Sequence, residues 1–467
     1  MFMKERIVLN VPRRVVLMSV LISCVFFELF IFYLNGIKQV HIEVMKYELM
    51  AFYFSILLYS FKKLGAFNLY VIFLYTTFIF LYGRIFFDLF DEWDWNFGNH
   101  FDDVYFPLDT QFEILSLLIV SLLFVHLGYL YNRDGRMDNE LDFKFESWPE
   151  LEKWALFFFV LALPGIICKY WMELQVILQN GYLAVYDGTL DNLEYPIWTV
   201  GTGTIFVGSY AVFISARPDK RKFIIVSSIF FLLNLLNTLK GARSKVFVPL
   251  LYMLWLYFTF YKKKSSFPFY KLVLLVVVSV VFSQWMTVHR VGNTTFDTSD
   301  LAIIFFLQQG VSILVLGYMV FYKDIFINNG LPYVLAPLLT FGFGEGGQTF
   351  DLIQSTNLLG HKLTYFLSPA SFYKGQGLGS SFLAELYDLG IIPLVLLCVF
   401  VGYFIAHWVK YAKNNRITFL LSYFVVQHII FMPRSTFLPG LTEIIYCLFF
   451  YFFMTWLANH YSFKFIR

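Results

Sequence analysis

Charge is what this chain has least of. Asp, Glu, Lys and Arg make up 14% of its 467 residues, against about 25% in a soluble domain. With 59% of residues hydrophobic and a mean hydropathy of +0.66, too few charges remain to cover a water-facing surface. The chain reads as an all-α, polytopic integral membrane protein. Cysteine is scarce too: Cys24, Cys168, Cys398 and Cys447 lie singly in apolar runs. Without metal-ligand spacing they read as small core hydrophobes. No H-E-x-x-H pattern or paired Cys/His cluster occurs, so no metal and no cofactor is expected. There is no basic domain or recognised binding module, which removes nucleic acid as a partner. The stretch Gly342–Gly347 fits G-x-G-x-x-G, but no βαβ unit surrounds it. No internal repeat or low-complexity linker divides the chain. Residues 1–467 therefore read as one transmembrane domain.

What the chain does have is a long series of apolar runs. Runs of spanning length fall near 15–35, 48–61, 67–88, 112–131, 154–173, 196–216, 222–239, 246–261, 267–287, 381–409, 417–433 and 437–459. That makes about 12 transmembrane helices. Two further stretches, 301–322 and 331–343, raise the limit to 14 as a membrane hairpin or re-entrant elements. They lie within a polar-rich interval that reads as one large external loop, about 288–380. Behind the basic flank Lys4, Arg6, Arg13 and Arg14 no A-x-A-like cleavage site follows, so the first run reads as a retained span. With the N-terminus inside, 23 of the 35 Lys and Arg fall on one side of the membrane and 12 on the other. The bias predicts that both termini are cytoplasmic.

The disfavoured side carries cations that need a reason. Lys240, Arg243 and Lys245 crowd one turn between two spans. Arg290 ends one span and Arg434 another, on the same face. Each could snorkel to lipid phosphates. Gathered at one outer surface, they could equally hold an anionic ligand, and arginine's planar fork suits a diphosphate. Arg84 has Asp88 at i+4 as a ready ion-pair partner. His361 and His289 are the external histidines nearest these elements, His428 faces the same side from within a span, and Glu385 and Asp388 share one helix face at i, i+3. A buried Glu385 could act as a base or cap a polar seam. Ser380 or Ser381 is expected to cap that helix.

Several short stretches carry a family likeness. Gln179-Asn180-Gly181-Tyr182-Leu183 precedes Leu239-Lys240-Gly241-Ala242-Arg243-Ser244 by about sixty residues. Leu378-Gly379-Ser380-Ser381-Phe382-Leu383-Ala384-Glu385-Leu386-Tyr387 follows, and then Pro433-Arg434-Ser435 before the last span. In order and spacing, from about residue 180 onward, these resemble the Wzy-type O-antigen and oligosaccharide repeat-unit polymerases. The first third resembles them in hydropathy alone. The resemblance implies a metal-free glycosyltransferase of the bacterial inner membrane, active on the periplasmic face. It would transfer a growing glycan from undecaprenyl diphosphate onto an undecaprenyl-diphosphate-linked repeat unit. The family's arginine in its Gly-x-Arg turn falls on Arg243, and the one before the final span on Arg434. In this reading Arg243, Arg290 and Arg434, with Lys240 and Lys245, hold the diphosphate, and His361 or Glu385 is the base. Partners are the lipid-linked oligosaccharide, membrane lipid and, as an open question, a chain-length regulator protein. A lipid-linked oligosaccharide flippase and an O-antigen ligase are the rival readings.

Overall fold

The computed structural model describes residues 12–90, 94–96, 104–131, 143–180, 189–190, 193–238, 244–262, 277–278, 280–282, 301–327, 330–339 and 348–462. Its regular elements are all helical. Among the described residues, ten helices are long and apolar enough to cross a membrane. The count is eleven if the bent pair Ile303–Gln309 and Val311–Phe321 is one span. These ten coincide with ten of the runs read from the sequence. The run at 48–61 lies in the helix Gln39–Leu64, and the run at 267–287 falls largely outside the described residues.

The helix ends sort into two groups. At one end of the bundle the Lys144 N–H donates to the Lys413 carbonyl and the Trp148 N–H to the Ala216 carbonyl, each at 3.0 Å. Arg217 Nη1 reaches the Phe145 carbonyl at 2.5 Å, and Arg416 Nη2 the Glu146 carbonyl at 2.6 Å. These four cations all belong to the larger set of 23. At the other end Lys46 pairs with Asp88, Lys323 lies 3.9 Å from Glu113, and the Tyr387 hydroxyl donates to Glu113. Lys46 and Lys323 belong to the smaller set of 12. Gln39–Leu64 runs from Lys46 at this end to the turn before Phe67 at the other, where Phe67 stacks on Phe258 at 4.6 Å. It therefore runs from one end of the bundle to the other despite Glu43, Lys46 and Glu48 in its first half.

Part of the interval read as an external loop is core. In the helix Val311–Phe321 every residue from Ser312 to Val320 is buried. It follows Leu301–Gln309 with a 46° bend at Gly310. Glycine is required at the break. A Cβ at 310 would lie 2.8 Å from the Phe306 carbonyl oxygen and 2.9 Å from Arg84 Cγ. By contrast, the outer faces of Arg13–Leu34 and Leu441–His460 expose side chains such as Phe27 and Phe449. Such a surface is stable facing acyl chains and would be a liability in water.

The tightest crossing joins Leu108–Leu130 to Ile391–Asn414. A Cβ on Gly402 would stand 1.9 Å from the Val125 carbonyl oxygen, and one on Gly128 would stand 2.0 Å from that of Val399. Small residues let these backbones touch, as in other membrane helix pairs. Gly402→Ala should therefore force the helices apart and cost at least the ~1–3 kcal/mol typical of overpacking. Heating detergent-solubilised protein before size-exclusion chromatography reads the effect. An unchanged midpoint would show that the crossing tolerates a methyl group.

Candidate functional site

The end that carries Lys46 and Lys323 holds a polar constellation built around the helix break. The last carbonyls of a helix have no partner within it and form the negative end of its dipole. Here two arginines from distant parts of the chain meet those of Leu301–Gln309. Arg84 donates from Nε and Nη2 to the Leu307 carbonyl at 3.1 and 3.0 Å. Arg434 donates from Nη1 to the Gln309 carbonyl at 2.6 Å. The two cations are close enough to repel, and the carbonyls between them offset that repulsion.

The two arginines differ in setting. Arg84 is 6% exposed, with its stem across Gly310, so it fixes the break. The i+4 ion pair expected with Asp88 is not the arrangement found: Asp88 pairs with Lys46 and accepts from the Trp95 N–H at 3.2 Å. Arg434 is half-buried in the 3₁₀ turn Met432–Arg434, whose second residue is Pro433. Its guanidinium lies 5.6 Å from the centre of the Phe80 ring. Phe80 belongs to the π-helical turn Phe78–Tyr82, a distortion common at functional sites.

Beyond Arg434 the chain is pinned from both sides. The Phe437 N–H donates to Glu385 Oε2 at 2.8 Å, and His428 Nε2 donates to the Phe437 carbonyl at 2.9 Å. The second oxygen of Glu385 accepts from Ser380 Oγ at 2.7 Å. Ser381 is the residue preceding the helix Phe382–Asp388, but its side chain makes no capping bond; Ser380 spends its hydroxyl on Glu385 instead. Glu385 is 0% exposed. Burial pushes its pKa up to about 7, against the bonds from Phe437 and Ser380 that pull it down, and the nearby Asp388 adds to the rise. Asp388 itself accepts from the Tyr333 N–H at 3.1 Å. The shared helix face thus sends its two carboxylates to different elements.

His361 joins the same constellation through its neighbour. A Cβ on Gly360 would meet the Gly379 carbonyl oxygen at 2.4 Å, and one on Gly379 the Arg434 carbonyl oxygen at 3.9 Å. The helix Leu359–Leu367 therefore abuts the strip that leads into Ser380 and Glu385. Among the described residues His361 Nδ1 is buried without a hydrogen-bond partner, and burial holds the imidazole pKa below its usual value. Burial thus favours the neutral ring.

Glu385 and Arg434 therefore come together, and the helix that carries His361 abuts their strip through Gly360, with the His361 ring itself packed on Phe372. Lys245 is exposed in the first turn of Ser244–Leu256, a helix that packs on Lys220–Thr238 and Arg416–Phe431. Lys240, Arg243, Arg290 and His289 lie outside the described residues. Among the described residues no three His, Cys, Asp or Glu side chains group as a metal set. The contribution of Arg84 to the site escaped the local pairing rule. Its only sequence trace is Gln308-Gln309-Gly310 interrupting an apolar run.

The profile of one protein family, described as O-antigen polysaccharide polymerase Wzy, matches residues 16–464. The chain belongs to this family. The match extends through the first third, where only hydropathy had suggested it, and so takes in Arg84 and the π turn as well as Arg434. It makes the protein a multi-pass membrane polymerase of O-antigen polysaccharide. Neither a curated protein nor a solved structure matches the chain.

Proposed function

We propose that the protein transfers a growing glycan from undecaprenyl diphosphate onto an undecaprenyl-diphosphate-linked repeat unit, at the periplasmic face of the bacterial inner membrane. The observation that supports this most is the setting of Arg434. Its planar cation is anchored by the Gln309 carbonyl and the Phe80 ring at the end of the bundle poor in cations. The bond from the sugar's anomeric carbon to the diphosphate oxygen breaks, and the oxygen keeps the electron pair. A pre-oriented guanidinium stabilises the charge that develops there. Arg243, Arg290 and Lys240 complete the anion site in this reading, with Lys245 an exposed cation at its margin. The acceptor hydroxyl attacks the anomeric carbon and gives up its proton. His361, whose neutral form burial favours, is suited to take it. Glu385, with both oxygens engaged, braces the arginine loop. The larger cation set then faces the cytoplasm with both termini, and a separate regulator protein would set chain length.

The glycan profile of a strain lacking the chain tests the reading. A single capped repeat unit is the expected product. Complete loss of surface glycan would point to a flippase or ligase instead, and an unchanged profile would remove all three.

A further inference from the structure

We propose that the aromatic side chains around the helices Leu359–Leu367 and Pro369–Tyr373 form a stacking platform for sugar rings of the lipid-linked glycan. The inference rests on the polymerase reading and names where the glycan lies.

Phe372 is fully buried and anchors the group. Its ring centre lies 5.6 Å from that of Tyr365, 5.6 Å from that of Tyr373 and 5.9 Å from that of His361. Phe350 extends the cluster to Tyr365 at 5.8 Å. Around this buried anchor the outer rings are presented rather than packed: Tyr373 is 52% exposed and Phe350 45%. Edge-to-face packing fixes their orientations without covering their faces.

Two features favour saccharide over acyl chains as the occupant. First, the segment that carries Tyr373 is polar. Ser368 through Ser381 contains Ser371, Lys374 and Gln376, with Gly375, Gly377 and Gly379 between them. Ser368 Oγ donates to Ser371 Oγ at 2.9 Å, and Lys374 is exposed. A pyranose has an apolar face of C–H bonds ringed by hydroxyls. It needs an aromatic face with hydrogen-bonding groups at its margin, because each buried hydroxyl must find a partner. A surface meant for lipid needs no such margin. Second, the platform is continuous with the site. His361 touches Phe372, Gly360 abuts Gly379, and Gly379 lies against the Arg434 carbonyl. A glycan whose diphosphate sits at Arg434 has its sugars attached directly to that anion.

The test uses full-length protein in nanodiscs with Tyr373→Leu and Tyr373→Trp. Two probes are used: the lipid-linked repeat unit extracted from the deletion strain, and the free oligosaccharide released from it by mild acid. Stacking predicts that Tyr373→Leu raises KM for the lipid-linked unit about 3- to 10-fold with kcat nearly unchanged. Tyr373→Trp should behave as wild type. Saturation-transfer NMR should show the free sugar's ring C–H groups in contact with wild type and Tyr373→Trp, and not with Tyr373→Leu. If leucine serves as well as tyrosine, apolar area alone matters, and the platform is a membrane anchor. If both variants melt early and lose activity together, Tyr373 is structural and the proposal falls. If wild type binds the free sugar through Tyr373 yet elongates nothing, the platform stands and the polymerase reading fails.

Discussion

Arg434→Lys should reduce polymerisation about 30- to 1,000-fold, the effect of removing ~2–4 kcal/mol of charge stabilisation from a transition state. The substitution keeps the positive charge. Lysine can also still donate to the Gln309 carbonyl, so the loop and the end of Leu301–Gln309 keep a partner. What it removes is the planar fork that grips two oxygens at once and stacks on the Phe80 ring. A cation that merely snorkels to lipid phosphate would tolerate the change, because lysine snorkels as well as arginine. Lys245→Ala provides the comparison, since Lys245 is an exposed surface cation; it should shorten chains far less. Each variant is expressed in the deletion strain at matched membrane levels, and the chain-length distribution is read on a gel. Wild-type chains from Arg434→Lys would remove this clamp and leave Arg243 and Arg290 to carry the diphosphate.

The membrane fold was legible because its cause is local and additive. A helix crosses a bilayer when about twenty successive residues tolerate hydrocarbon, and a sliding count of charge finds them. The helix Gln39–Leu64 strains that rule, since Lys46 and Glu43 sit within it. Lys46 is neutralised by Asp88, 42 residues on, and only the fold brings that partner. Within the interval 288–380, the stretch 301–322 stood open between loop and membrane element for the related reason. The interval's polar stretches mask a buried helix whose sole warning is an apolar run broken at Gly310.

The site was half legible. Arg434 and Glu385 stand in motifs, and their proximity follows once Phe437 is seen to bond Glu385. Arg84 shows the limit. Spacing along one helix pointed to Asp88, whereas the guanidinium turns to a carbonyl 223 residues away. Pairing rules for helices describe side chains on a shared solvent-facing surface. Inside a bundle, an unpaired helix-end carbonyl competes for the same cation and has no alternative partner in lipid.

Glu385 separates a brace from a base, and the two roles predict opposite results for one substitution. As a brace it must supply an acceptor to the Phe437 N–H and a partner to Ser380 Oγ. Glu385→Gln can do both, since its amide oxygen accepts and its NH₂ donates. Polymerisation should stay within about 5-fold of wild type. Glu385→Ala leaves two buried polar groups without partners, at about 1–3 kcal/mol each, and frees the loop three residues beyond Arg434. Activity should then fall at least about 100-fold, because a 1 Å displacement of a positioned group costs that much. A general base, by contrast, would lose about 10²–10⁴-fold in the glutamine variant itself. Stability against pH gives an independent reading. The folded pKa of about 7 lies above the ordinary carboxyl value of 4.5. The proton-linked stability is thus fully present below about 4.5 and is lost as pH rises through about 7. Wild-type protein should lose thermal stability across that window, and Glu385→Gln, which cannot ionise, should not show that part of the loss. Equal slopes for the two proteins would mean that Glu385 is ionised throughout. A silent Glu385→Gln with a flattened slope leaves His361 as the group that receives the proton.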